Sequence, residues 1–206
     1  QIGVGTGKPF DASALPADIA KAVAQGAEDG RQKVLAATET FSKPSNGWQQ
    51  FPANVGHYGN DDLTRSAVAW KYLYANDAAE AMYPVTQVDA SNQRLDGNRS
   101  YRLHFAPGQL PPVDAFWSVT LYDGKTQLFS ANPLNRYTVS SESGLKQDAD
   151  GGVTLTIQNA QPTGTDNWLP APQGPFNLIL RMYLPQEKAL KGDYQPPAVQ
   201  PLASKE

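Results

Sequence analysis

The sequence predicts an α+β chain, mainly β: a helical N-terminal segment followed by an antiparallel jelly-roll β-sandwich. Three observations predict it. Up to Pro84 the apolar residues recur at helical spacing, and beyond it they alternate with a period of two. The alternating runs are short and bounded by turn clusters such as "LDGN", "APGQLPP" and "DADGG". No helical pattern lies between those runs, which suits a sandwich or jelly roll rather than a parallel sheet with crossover helices. The expected division is residues 1–84, a glycine-rich lead-in and helices, and residues 85–206, the sandwich with a Pro-rich strap.

The lead-in is "QIGVGTGKPFD". A phosphate-binding P-loop needs a glycine five positions ahead of its Gly-Lys-[Ser/Thr]. Here Ile2 holds that position and Pro9 follows Lys8. Lys8 or Phe10 stands where a dinucleotide fingerprint needs its third glycine, and no strand precedes. The expectation is a flexible extended stretch.

A first helix is expected from about residue 13, with Ser13 as N-cap and Pro16 in the first turn, where a missing N–H is tolerated. Ile19, Val23, Ala27, Gly30, Val34 and Phe41 fall close to one face. Gly26 and Gly30, four apart, imply either a closely packed neighbouring backbone or a break in the helix. A second helix is expected over residues 61–82. Asn60 caps it, and Asp61 and Asp62 suit its positive end. Leu63, Ala67, Trp70, Tyr74 and Ala78 form its stripe, and Pro84 stops it.

Alternation sorts the strand residues into two faces. One collects Tyr101, Leu103, Phe105, Trp117, Val119, Leu121, Val153, Leu155, Ile157, Phe176, Leu178, Leu180 and Met182, the expected core. The other collects Arg102, His104, Phe116, Ser118, Thr120, Tyr122, Asn177, Ile179, Arg181 and Tyr183. It is polar yet carries Phe116, Tyr122, Ile179 and Tyr183, so helices, a partner or a ligand should cover it. The tail after Tyr183 reads as an extended strap.

Composition excludes several classes of function. Net charge is -3, with Lys and Arg scattered, which argues against a phosphate-backbone partner. No apolar run has the length of a membrane span, and no charged-then-apolar leader opens the chain. Cysteine is absent, which removes thiol nucleophiles, Cys-ligated zinc and disulfides.

The chemistry-bearing candidates are few. There are two histidines, and G-x-S-x-G is missing, so a serine triad has no frame. His57, in "NVGHYGNDD", is either a base or ligand beside Asp61 or Asp62, or a loop histidine at a helix start. His104 lies on the half-polar face. "DADGG" echoes the start of a calcium loop, but lacks its later carboxylates and reads as a hairpin turn. Trp168, in "NWLPAP", either stacks on a sugar or plugs the end of the sandwich. Arg136 and Arg181 either clamp a carboxylate or phosphate or pair internally. The candidate binding set is His57, Asp61, Arg102, His104, Tyr122, Trp168 and Arg181. No metal ligand set or cofactor motif appears.

Several strings together, "IGVGTGKPFD", "GHYGNDDLTRSAVAWKYLYANDAAEAMYP", "YRLHFAPGQLPPVDAFWSVTLYD", "NPLNRYTV", "DGGVTLTIQ" and "NWLPAPQGPFNLILRMYLP", resemble the family called domain of unknown function 1214. The resemblance implies a jelly-roll sandwich after a helical segment. It also implies a place as the C-terminal half of bacterial proteins whose N-terminal half is domain of unknown function 1254, and a periplasmic or extracellular location, with the cytoplasm as alternative. This chain departs from that layout by opening at the glycine-rich joint, as a short stand-alone member or without the upstream domain. The family carries no agreed catalytic residues, so none is transferred.

Two functions are therefore expected. One is a binding or assembly module whose second face docks a companion domain or another chain. The other is a hydrolase-like enzyme acting on a small or saccharide substrate in a pocket between helices and sheet.

Overall fold

The computed structural model describes residues 7, 9–40, 44–52, 54–72 and 74–203. The glycine-rich lead-in, Gly7 and Pro9 onward apart, and Phe41 of the first stripe lie outside the described residues. The chain forms two compact units, Gln1–Thr40 with Tyr58–Tyr74, and Phe41–His57 with Ala75–Glu206. The second unit thus takes its first strands from upstream of Pro84.

In the first unit, a short 3-10 turn (Ala12–Ala14) precedes α1 (Ala17–Glu39), and α2 (Asp62–Lys71) packs against α1. Asp11 caps the 3-10 turn, its carboxylate accepting from the Ser13 N–H at 2.9 Å, so Ser13 is capped rather than the cap. Pro16 is the N-cap residue of α1. The helix runs unbroken through Gly26 and Gly30, and a Cβ built at either meets nothing within 4 Å. Both readings of that glycine pair are therefore corrected. The exposed pairs Gln25–Asp29 and Glu28–Arg31 span the same stretch and support it locally.

Asp61 caps α2, accepting from the Thr64 N–H at 3.0 Å, and Lys71 of α2 reaches Glu39 of α1 at 3.1 Å. The helix ends at Lys71, about three turns before Pro84. Its buried residues are Ala67 and Val68, while Leu63, Trp70 and Tyr74 are exposed. Of the expected stripe only Ala67 is buried, and Tyr74 and Ala78 lie beyond the helix. Among the described residues no helix is long and apolar enough to cross a membrane.

The second unit contains β1 (Trp48–Gln49), β2 (Ala81–Met82), β3 (Val85–Thr86), β4 (Tyr101–Phe105), β5 (Trp117–Asp123), β6 (Thr138–Ser140), β7 (Val153–Gln158), β8 (Trp168–Pro170), β9 (Phe176–Tyr183), the short helix α3 (Glu187–Leu190) and β10 (Gln200–Pro201). One sheet runs β1-β3-β9-β5-β6, with β2 also on β9. The other runs β10-β4-β7-β8. The spine of the first is the antiparallel pair β5–β9, in register from Trp117↔Met182 to Asp123↔Phe176. The spine of the second is β4–β7, with His104 opposite Thr154 and Arg102 opposite Thr156. The ladder is not wholly antiparallel: β7 and β8 run parallel, Thr156 opposite Trp168.

The thirteen residues expected in the core are all buried, and they come from both sheets. Rings meet across the interior, Tyr101 with Phe176 at 5.7 Å and Phe105 with Trp117 at 5.1 Å. The tail is more than a strap. Ala189, Tyr194 and Val199 join the core, β10 pairs with β4, and the Trp48 indole N–H donates to the Pro197 carbonyl at 2.8 Å.

Candidate functional site

The residues that alternate away from the core occupy two different surfaces. A sandwich has one inner and one outer face per sheet, so outward residues of β4 and outward residues of β5 and β9 belong to separate sides. This divides the seven candidates into four places.

On the six-stranded sheet, Arg181 of β9 donates to the Tyr122 hydroxyl of β5 at 3.0 Å. Tyr122 stacks on Phe129 (5.1 Å), and Phe129 on Tyr137 (4.8 Å). Along the same sheet Phe116 stacks on Tyr183 at 4.5 Å. Ser118, Thr120 and Asn177 are buried on this side. Phe129 and Leu128, in the connection to β6, are 53% and 66% exposed. The signal for these two was absent from the strand pattern because they lie in the β5–β6 loop.

On the four-stranded sheet, His104 of β4 lies beside Thr154 of β7, with Nδ1 2.9 Å from Oγ1. The Thr154 hydroxyl donates to Asp148 Oδ2 at 2.7 Å, and that oxygen is 3.4 Å from His104 Nδ1. Asp148 and Thr154 were not expected to act together. Thr154 shares the face of His104 by alternation, but Asp148 arrives only because "DADGG" closes a tight turn, Asp148 accepting and donating across it to Gly151 and Gly152. Arg102 is exposed on the same face. Trp168 is 1% exposed and its indole N–H donates to the Gln158 carbonyl, so it seals the sheet end and offers no ring face to a sugar. Trp117 is likewise in the core. Arg136 donates from Nη1 to the carbonyls of Thr165, Asp166 and Trp168 and pins that loop.

His57 and Asp77 are hydrogen-bonded at a third place, both in the second unit. Asp61 is the cap of α2 in the first unit. The Asp77 carboxyl is held below the ordinary aspartate value, first by the Ala79 N–H and then by His57. The charged carboxylate therefore adds stability above about pH 4, and that contribution is lost as pH falls through the lowered folded-state value. Asp77→Asn is expected to lower the melting temperature in the neutral region and to flatten the acid limb, so that the two profiles converge at acid pH. Thermal unfolding of the two proteins from neutral to acid pH checks this, and parallel acid limbs would refute it.

Close by in sequence, residues 50–52, 76–83 and 189–195 contribute to a mainly apolar pocket of about 260 Å3, lined by Phe51, Val55, Ala81, Met82, Tyr83 and Leu190 among others. Burial pushes the Tyr83 hydroxyl up. A second hollow of about 590 Å3, polar and open, borders the Asp148 group.

No curated protein matches the chain. The VPA0106 protein from Vibrio parahaemolyticus, a solved structure, is similar over 98% of this chain and 49% of its own, with 24% identity and a TM-score of 0.71. That likeness concerns the fold. A putative uncharacterized protein from Burkholderia cenocepacia matches 85% of this chain and 49% of its own at 15% identity, with a TM-score of 0.40. This chain spans about half the length of both. The β2-to-α3 stretch that holds the His104 group and the aromatic face coincides with residues 80–187, which match a family profile, and the chain belongs to that family, described as protein of unknown function (DUF1214).

Proposed function

We propose that the chain is a binding or assembly module, a jelly-roll sandwich whose six-stranded sheet docks a companion domain on its outer aromatic side. The observation that carries it is the pair Leu128 and Phe129, both more than half exposed, continuous with the Tyr122–Phe129–Tyr137 stack and Arg181. Aromatic residues with an adjoining Arg are the usual anchors of a protein interface. The companion is the upstream domain that the family resemblance implies, and the Vibrio chain is about twice the matched length. Strands that pass repeatedly between the two sheets support the jelly-roll reading. The proposed setting is periplasmic or extracellular, as the family resemblance implies.

The test is titration calorimetry of this chain against the unmatched half of the Vibrio protein. Binding should weaken at least about tenfold in Leu128→Ser with Phe129→Ser, the loss expected for a truncated anchor, at unchanged melting temperature. Equal affinity for wild type and variant would sink the docking reading. An enzymatic reading has one observation behind it, the carboxylate-backed His104. The nearest hydroxyl, Thr154, gives its proton to Asp148 and not to the imidazole, so it is not a nucleophile activated by that base.

A further inference from the structure

The mainly apolar pocket of about 260 Å3 is walled by three stretches of the second unit that lie far apart in sequence: residues 50–52 with Val55, residues 76–83, and residues 189–195. Two of its lining residues, Met82 and Ala189, also pack with the hydrophobic core, so its floor continues the core. Close-packed interiors hold few voids larger than a water molecule. Here the walls are fixed to one another. The Asn46 side-chain amide and the Trp48 indole N–H donate to the Pro196 and Pro197 carbonyls at 3.0 and 2.8 Å, tying the first wall to the third. His57 is hydrogen-bonded to Asp77, and Phe51 packs on Tyr83 with ring centroids 5.4 Å apart, tying the first wall to the second. β2, at the end of the second wall, is laddered to β9.

Volume and lining together select a ligand. An apolar cavity of roughly 150 Å3 accepts benzene, and sites for drug-sized ligands occupy roughly 300–1,000 Å3. The volume here suits one substituted ring. Phe51 and Tyr83 offer ring surface and Met82 a thioether, which favour an aromatic partner over a saturated one of the same size. Lys191 also lines the pocket but is paired with Glu187, so no free positive charge is offered to a carboxylate. An uncharged acceptor is offered instead. Gln195, another lining residue, donates from Nε2 to the Gly192 carbonyl at 2.8 Å. A carbonyl only accepts, so the amide is oriented by that bond, and its oxygen has no donor among the described residues.

We propose that this pocket binds a small neutral aromatic molecule of one ring, a phenol in type, with its ring against Phe51, Met82 and Tyr83 and its hydroxyl donating to Gln195. None of these residues belongs to the Leu128–Phe129 surface, so the inference stands or falls independently of the docking reading.

The experiment is a titration of the intact chain with p-cresol, followed by the methyl resonances of 13C-methyl-methionine. The chain has two methionines. Met82 lines the pocket, whereas Met182, its cross-strand partner, is 1% exposed in the core and does not. The Met82 methyl should shift saturably and further than that of Met182. Two controls fix the ligand class: 4-methylcyclohexanol, which lacks the aromatic ring, and p-toluate, which carries a carboxylate, should each bind at least about tenfold more weakly. Ala78→Leu, half-buried on the lining, fills the space and should weaken p-cresol at least about tenfold. Leu190→Ala, at an exposed lining position, should weaken it about fourfold, the scale of one buried CH2 group. That variant keeps the test decisive should Ala78→Leu fail to fold. No saturable shift at Met82, or unchanged p-cresol affinity in both variants, overturns the proposal. Binding of 4-methylcyclohexanol or of p-toluate as tight as that of p-cresol overturns it too, the first against an aromatic ligand and the second against a neutral one.

Discussion

Gly97→Ala is expected to destabilise the sandwich by about 3 kcal/mol or more, at the upper end of what overpacking costs. Gly97 is buried where two loops cross, its N–H donating to the Gly174 carbonyl at 2.8 Å. An added Cβ would sit 1.8 Å from the Pro172 carbonyl oxygen and 3.0 Å from its carbon. Both are backbone atoms, so no rotamer change relieves the overlap. The loops must part, and Leu95, fully buried next door, is opened with them. Gly26→Ala and Gly30→Ala are the contrast. They sit inside α1 with open space around them, and each should stabilise that helix by about 0.5–1 kcal/mol. Urea titration followed by tryptophan fluorescence measures the first, and helical circular dichroism on heating the second. If Gly97→Ala unfolds with the wild-type midpoint, the close approach of residues 97 and 172 is not real.

Phe105→Ala should cost about 3–5 kcal/mol, as large-to-small changes at fully buried aromatics do. Phe105 has no exposed surface and its ring meets Trp117 of the facing sheet, so truncation removes contact across the interior and leaves a cavity lined by both sheets. Three positions back along the same strand, Arg102→Ala should fall within about 0.5 kcal/mol of wild type, since that side chain is exposed. Equal effects at the two positions would mean that β4 is not registered with its odd-numbered residues inward.

That alternation is where the sequence was most informative. In a strand, neighbours point to opposite faces whatever the tertiary partners are, so Tyr101 to Phe105, Trp117 to Leu121 and Phe176 to Met182 could be sorted before any coordinates. The very short strands Trp48–Gln49, Ala81–Met82 and Gln200–Pro201 could not. Two residues carry no period, and their pairing is imposed by neighbours already in place. The same limit explains the overlong second helix. Residues 72–82 continue an apolar spacing that suits a helix, but Ala81 and Met82 gain more by completing the edge of β9.

The candidate site was legible only as residue types. His104 and Arg102 were singled out correctly as outward-facing. Their assignment with Tyr122 and Arg181 to one face failed, because alternation tells inside from outside and does not say which sheet of two a strand joins. Asp148 was dismissed as turn chemistry, since the distance from residue 148 to residue 104 is set by strand pairing rather than by spacing in the chain.

By itself, then, the sequence determined the helical-to-β change, the identity of the core residues and their mainly β architecture, because hydrophobic period is a local property of the chain. Tertiary structure decided which strands share a sheet, that β7 and β8 run parallel, and that an aspartate from a turn reaches the imidazole of His104. Those are long-range pairings, fixed by how two faces bury each other and invisible to any window of consecutive residues.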